Sequence, residues 1–199
     1  MKPPVVLVHG FLATPPLMTP LRRHLVRAGH DVHHPALSPF AIQDVRQLAS
    51  ELDLSVDRVR WRLGVDRVDL VGVSQGGIIW LWWAHHLDGW SRVRRFVGVG
   101  APFRGTWAAV VGLGPLGWWS PGIWQLVPGS SFLEDLGRPL PDGAAVTTIA
   151  LDGDPVCPAD RCSLDGARHR VLPGGAGPLT HQWLALSPTV ADAVVEALA

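Results

Sequence analysis

The chain has 199 residues, 47% of them hydrophobic and 17% charged, and its 17 basic and 17 acidic side chains cancel to a formal net charge of 0. That length fits one domain with a full core, and the apolar content excludes a disordered chain. No basic stripe or block of like charge is present, so nucleic acid is excluded as an expected partner.

Met1-Lys2-Pro3-Pro4 runs directly into Val5-Val6-Leu7-Val8, an apolar run too short for the core of a secretory signal. The expectation is a cytoplasmic protein, or a secreted one if this is a mature form with an added Met. Short apolar runs then alternate with longer amphipathic stretches. The predicted strands are Pro4–Val8, Asp31–His34, Val68–Val73, Arg95–Gly100, Ala145–Leu151 and Arg168–Leu172. The predicted helices are Pro16–Ala28, Ala41–Leu63, Gln75–Leu87 and His181–Leu198. In the first helix Leu17, Leu21, Leu25 and Ala28 recur at helical spacing, and Gly29 is a plausible stop. The order predicts an α/β chain: a mostly parallel sheet with helices on both faces.

One segment breaks the alternation. No charged residue falls between Arg104 and Glu134, and Trp107, Trp118, Trp119 and Trp124 lie inside that run. Its length alone would suit a membrane span, but Pro115, Pro121 and Pro128, with four glycines, would break a spanning helix repeatedly. We therefore expect no transmembrane segment but an apolar excursion over one end of the sheet. Such a run would be costly to expose, so residues 106–128 are expected to act as a lid or acyl-pocket wall. Leu12, Trp107, Trp118, Trp119 and Trp124 are the candidate pocket residues. Trp80 and Trp83 are expected in the core.

The chemistry concentrates in Gly72-Val73-Ser74-Gln75-Gly76-Gly77, between an apolar β-branched run and an apolar helical one. A strand, tight turn and helix in that order form the G-x-S-x-G nucleophile elbow, which lifts the Ser74 hydroxyl off the end of the sheet. Gly72 and Gly76 are glycine because a Cβ there would meet opposing backbone. Ser74 needs a base within hydrogen-bond reach and a third group to orient that base. In chain order Ser, acid, His, the acid candidates are Asp152 and Asp154 after the strand Ala145–Leu151. Asp154 is favoured because it lies further into the loop, and Asp152 reads as a turn residue before Gly153. The base candidate is His181, beyond the glycine-rich loop after the last strand. The oxyanion of an acyl-transfer intermediate would be met by two backbone N–H groups, those of Gln75 and Phe11. His9, ending the first strand, reads as a loop-holding residue.

Cys157 and Cys162 suit a short loop and are open between two thiols and a disulfide. No second Cys/His pair has zinc-ligand spacing, and no metal or cofactor is expected.

Four segments together resemble the small bacterial α/β-hydrolase lipases, the minimal triacylglycerol lipase and esterase family. They are Val5 to Phe11, Val65 to Gly77, Val97 to Thr106, and Asp154 to Cys162 followed by Leu164-Asp165-Gly166-Ala167. The resemblance implies an α/β-hydrolase fold in a minimal single domain, residues 1–199. It also implies Ser74 as nucleophile, Asp154 as acid, His181 as base, and the Phe11 and Gln75 amides as oxyanion donors. Gln75 stands where family members commonly carry His or Met, and the Trp-rich segment looks longer than in the smallest members. The expected activity is hydrolysis of small-molecule apolar acyl esters or lipids through an acyl-enzyme. The alternatives are a thioesterase, acyltransferase or cyclase of a biosynthetic pathway using the same residues, and a non-catalytic binding protein on the same scaffold.

Overall fold

The computed structural model describes residues 2–116, 119–175, 177 and 179–199. In chain order its elements are β1 (Val5–Val8), α1 (Thr19–Arg27), β2 (Val32–His33), α2 (Val45–Leu63), β3 (Val68–Val73), α3 (Gln75–His86), α4 (Gly89–Arg92) and β4 (Val93–Val99). They continue with α5 (Trp107–Leu116), α6 (Pro121–Gln125), α7 (Ser131–Leu136), β5 (Ala145–Leu151), β6 (Arg168–Leu172) and α8 (Pro188–Leu198). The six strands form one parallel sheet in the order β2-β1-β3-β4-β5-β6.

The central strands are apolar on both sides because helices cover both faces. Val6, Val8, Val68, Leu70 and Phe96 point toward α2 and α3. Val5, Leu7, Val71, Val97 and Val99 point the other way, toward α1 and α8. In α2, Val45, Leu48, Ala49, Leu52 and Val56 make the buried stripe. α3 is buried almost all round, and Trp80 and Trp83 are fully enclosed. One charged residue of the sheet is wholly buried: Asp69 of β3, which takes two bonds from the guanidinium of Arg94 on β4, at 2.9 and 2.6 Å. Such a pair is retained only when its geometry satisfies both charges.

Three predicted helices are shorter than the pattern implied. Pro15–Met18 is a separate 3₁₀ turn before α1. α2 begins at Val45, with the Asp44 side chain capping the Arg46 amide; Phe40 and Ala41 before it adopt positive φ, which no helix admits. The predicted His181–Leu198 helix divides into a 3₁₀ turn, Thr180–Ala185, and α8, because Pro188 cannot continue the first turn and instead starts the second behind the Ser187 cap. The strand expected at Arg95 starts two residues earlier, at Val93. The described residues of the uncharged run form α5, α6 and the first turn of α7. Among the described residues no helix is long and apolar enough to cross a membrane.

Candidate active site

All the singled-out polar residues leave the sheet at the carboxyl ends of strands, where α/β sheets build their sites. Ser74 follows β3 directly. Its backbone is left-handed, φ 53° and ψ −127°, held by its own N–H to Val99 O at 2.8 Å and by Gly77 N–H to its carbonyl at 2.9 Å. The turn closes tightly enough that a Cβ on Gly72 would lie 2.6 Å from Gly77 N, and one on Gly76 would run into the Val8 carbonyl. These contacts give the steric reason for both glycines.

Asp154 follows β5 and is 2% exposed, whereas Asp152 points to solvent. One Asp154 oxygen accepts the Val156 and Cys157 amides at 2.9 and 3.1 Å. The other lies 2.7 Å from His181 Nδ1. The far nitrogen, His181 Nε2, is 2.9 Å from Ser74 Oγ. With Nδ1–H given to the carboxylate, Nε2 is left as the acceptor for the serine hydroxyl. Three residues separated by up to 107 positions thus form one hydrogen-bonded line.

His181 sits at the start of the last 3₁₀ turn. Thr180, which sequence reasoning did not single out, secures it: its hydroxyl is 2.9 Å from both Gly175 O and Gly177 O. Thr106 is a second unanticipated tie. Its hydroxyl donates to Val156 O, in the loop that carries Asp154, while its amide donates to Leu126 O at 2.9 Å. One threonine therefore links the acid loop to the base of the α5–α6 segment. Neither residue carries a motif; Thr106 acts through a contact 50 positions away, and Thr180 through the loop just before it.

The loop after β1 packs on the elbow. A Cβ on Gly10 would lie 2.9 Å from Ser74 Cβ and 3.2 Å from Gln75 N, so Gly10 is a close-approach glycine and Phe11 follows it beside the elbow. Gln75 is fully buried. His9 is also buried, donates Nδ1–H to Gly10 O at 3.1 Å, and is pushed by burial below the ordinary imidazole range. That suits a neutral residue holding the loop.

The candidate pocket residues behave differently from expectation. Leu12, Trp107, Trp119 and Trp124 are all half or more exposed, and Trp119 reaches 80%. The segment does not tuck its aromatic rings away as the cost of exposure implied; it presents them at the surface. Trp118 lies outside the described residues. Cys157 and Cys162 are buried free thiols whose sulfurs are 2.8 Å apart, longer than the roughly 2.05 Å of a covalent disulfide. Among the described residues no group of three His, Cys, Asp or Glu side chains is arranged to hold a metal ion.

No curated protein matches the sequence. Solved structures do match the fold. The mature lipase BlEst2 of Bacillus licheniformis superposes with a TM-score of 0.78 at 17% identity, over 99% of this chain and 92% of its own. Aspergillus fumigatus lipase B gives 0.76 at 18% identity, over 99% of this chain and 52% of its own. A Bacillus anthracis bromoperoxidase gives 0.68 at 16% identity, over 100% and 92%. At such identities the likeness concerns the fold, which carries more than one activity. The sequence itself matches the family model described as alpha/beta hydrolase fold over residues 3–120, from β1 through the elbow to the end of the α5 helix and beyond. Together with the parallel sheet and the serine elbow at its carboxyl edge, that match makes this chain a member of the alpha/beta hydrolase family.

Proposed function

We propose that the protein is a serine ester hydrolase, a lipase or carboxylesterase, acting on small-molecule apolar acyl esters through an acyl-enzyme on Ser74. The observation that carries this reading is the line Ser74 Oγ, His181 Nε2, His181 Nδ1, Asp154, with separations of 2.9 and 2.7 Å. In the proposed reaction His181 Nε2 takes the hydroxyl proton as Ser74 Oγ attacks the ester carbonyl carbon. The carbonyl oxygen becomes an oxyanion, received by the Phe11 and Gln75 amides. The intermediate collapses as His181 returns the proton to the departing alcohol. Water then repeats the sequence on the acyl-enzyme, releasing the acid and restoring Ser74. Asp154 stays ionised, fixing the imidazole tautomer and stabilising the imidazolium.

Apolar specificity is supported by the exposed rings and aliphatic side chains of Leu12, Trp107, Trp119 and Trp124, which offer an acyl chain apolar surface. In this reading residues 106–128 form the acyl-facing wall of a single domain. The names of two of the matched structures, both lipases, agree with it.

A chain-length series of p-nitrophenyl esters on wild type and Ser74→Ala tests the proposal. Wild type is expected to turn over medium and long acyl esters, and Ser74→Ala, which fits the elbow sterically, to lose about 10⁴-fold or more. Retained activity in the variant overturns Ser74 as nucleophile. Wild type that reacts with a fluorophosphonate at Ser74 yet hydrolyses no ester, while passing acyl groups to an added alcohol or thiol, points instead to an acyltransferase.

A further inference from the structure

Four of the five non-glycine residues with positive φ among those described cluster around the proposed oxyanion site: Leu12 at 54°, Phe40 at 62°, Ala41 at 48° and Ser74 at 53°. For L-residues such backbone costs of order 1–3 kcal/mol each and persists only where surrounding contacts over-determine it. The strain at Ser74 belongs to the elbow. The strain at Phe40 and Ala41 has another purpose, read from its bonds. Phe40 O accepts the Leu12 amide at 2.7 Å, so the turn at 38–42 grips the loop that carries the Phe11 amide. On its other side Gly10 is pressed against Ser74 and Gln75. The oxyanion loop is thus clamped between the elbow and the strained turn.

The turn is in turn held by α2. Glu51, half-buried on that helix, accepts the Ser38 amide at 2.7 Å with one carboxylate oxygen and the Ser38 hydroxyl at 2.6 Å with the other. Gln47 Nε2 adds a bond at 3.2 Å that keeps the carboxylate in place. One turn further along α2, Ser55 Oγ accepts the Ala36 amide at 3.1 Å. The far end of the turn is tied by Ser120 Oγ to Ile42 O at 2.7 Å. We infer that Glu51 is a positioning residue: through Ser38 and the Phe40–Ala41 turn it sets where the Phe11 N–H points. It touches no substrate and acts only through the backbone it holds. This inference rests on the proposed ester-hydrolase reading for the role of the Phe11 amide.

The test uses the full chain and three variants. Glu51→Leu removes both acceptors while keeping a good helix former. Glu51→Gln removes the charge but keeps an acceptor for the Ser38 amide, and its amino group can donate to the Ser38 hydroxyl. Ser38→Ala removes only the hydroxyl bond. The readouts are the rate of Ser74 labelling by a fluorophosphonate, kcat and KM on a short p-nitrophenyl ester, and inhibition by a trifluoromethyl ketone, whose adduct carries an oxyanion. Losing an oxyanion donor outright costs about 10²- to 10³-fold, and a displaced one costs less. Glu51→Leu should therefore lower the labelling rate and kcat roughly 10- to 100-fold with KM nearly unchanged, and weaken the ketone in parallel. Glu51→Gln should stay within about threefold of wild type on every readout, since the bond geometry survives.

A folded Glu51→Leu enzyme with wild-type labelling and turnover overturns the inference, as does Glu51→Gln being equally impaired. If Glu51→Leu does not fold, Ser38→Ala decides: a loss in kcat and ketone affinity supports the clamp, and wild-type values overturn it. Wild type that labels at Ser74 but hydrolyses no ester overturns the function proposed above, and the labelling rates still decide this inference. Wild type that does not label overturns both.

Discussion

At the scale of single residues, the two carboxylates after β5 differ in everything except chemistry. Asp154 is buried, takes two backbone amides on one oxygen and faces His181 with the other, whereas Asp152 points to water. Asp154→Asn should lower kcat on a preferred ester by about 10⁴-fold, because the amide no longer enforces the tautomer that leaves Nε2 free to accept. Asp152→Asn should change it by less than about threefold, as surface substitutions away from such features do little. Steady-state kinetics on the two purified variants checks the ranking, and the reverse order would transfer the proposed acid role to Asp152. Ser74 was legible because its signal is local: glycine at fixed offsets between a strand and a helix. The places of Asp154 and His181 in the candidate site were legible from chain order, since each follows a late strand, Asp154 three residues after β5 and His181 nine after β6. Glu51, Ser38, Thr106 and Thr180 were not. Glu51 and Ser38 meet across 13 positions and Thr106 reaches Val156 across 50, while Thr180 bonds the nearby Gly175 and Gly177 carbonyls in a loop that carries no motif, so nothing in the sequence around any of them marks the bond.

At the scale of elements, strand positions could be read closely, as could the helix ends at Leu63, Gln75 and Leu198, but the helix starts expected at Pro16, Ala41 and His181 could not. A buried parallel strand is a short apolar run with sharp edges, as at Val68–Val73 and Ala145–Leu151. Helix ends depend on caps and turns, and the apolar spacing around Ala41 continued through a turn that the backbone cannot make helical. The α5–α6 segment raises a different point. It is tied down at its ends by Thr106 and Ser120, and by Gln125, whose Oε1 accepts the Val45 amide at 2.8 Å and whose Nε2 reaches Asp44 at 2.9 Å. Yet Trp107 and Trp119 between those ties stand in solvent. Their one described ring contact is the Arg161 guanidinium 5.9 Å over Trp107, a weak cation–π pair at an exposed site, so these rings should affect substrate more than stability. Trp107→Ser with Trp119→Ser should shift Tm by no more than a few degrees and lower kcat/KM for long acyl esters about tenfold more than for acetate. Differential scanning calorimetry and the ester series measure the two effects; an equal loss at every chain length would show that the rings do not meet the acyl chain.

At the scale of the whole molecule, several histidines are held below their ordinary range by burial: His9, His30, His34, His85, His86 and His169. His85, at the end of α3, is lowered most, from 6.5 to about 4, by burial first and by the neighbouring His86 and Arg138 charges next. Its Nδ1 accepts the Trp90 indole N–H at 3.3 Å, which fits a neutral ring. Between pH 6.5 and about 4 the unfolded chain binds a proton there that the folded chain refuses. Stability is therefore full above that window and falls as pH falls through it. Thermal melts across the window should show this decline, and His85→Gln, which keeps an acceptor for Trp90, should flatten part of it. A variant with an unchanged slope would assign the acid sensitivity to the other histidines or to the carboxylates.

The strand order has one more consequence, which concerns how the molecule is made. The sheet grows outward from β1 and β3, and its far edge, β5 and β6, is supplied only after residue 145. As the chain emerges at about 5–20 residues per second, the elbow and β4 exist for several seconds before β5, the outer partner of β4, or His181 has been synthesised. During that interval β4 offers an open, apolar edge of the kind that pairs with other chains. The loop linking β4 to β5 fills the gap with α5, α6 and α7, and Phe132, Leu133 and Leu136 of α7 already belong to the same apolar cluster as Phe96 on β4. A nascent chain ending near residue 140 would thus carry a cover for one face of the unfinished sheet but none for its edge. Chaperone dependence and aggregation during expression should be greatest for truncations that stop between α7 and β5.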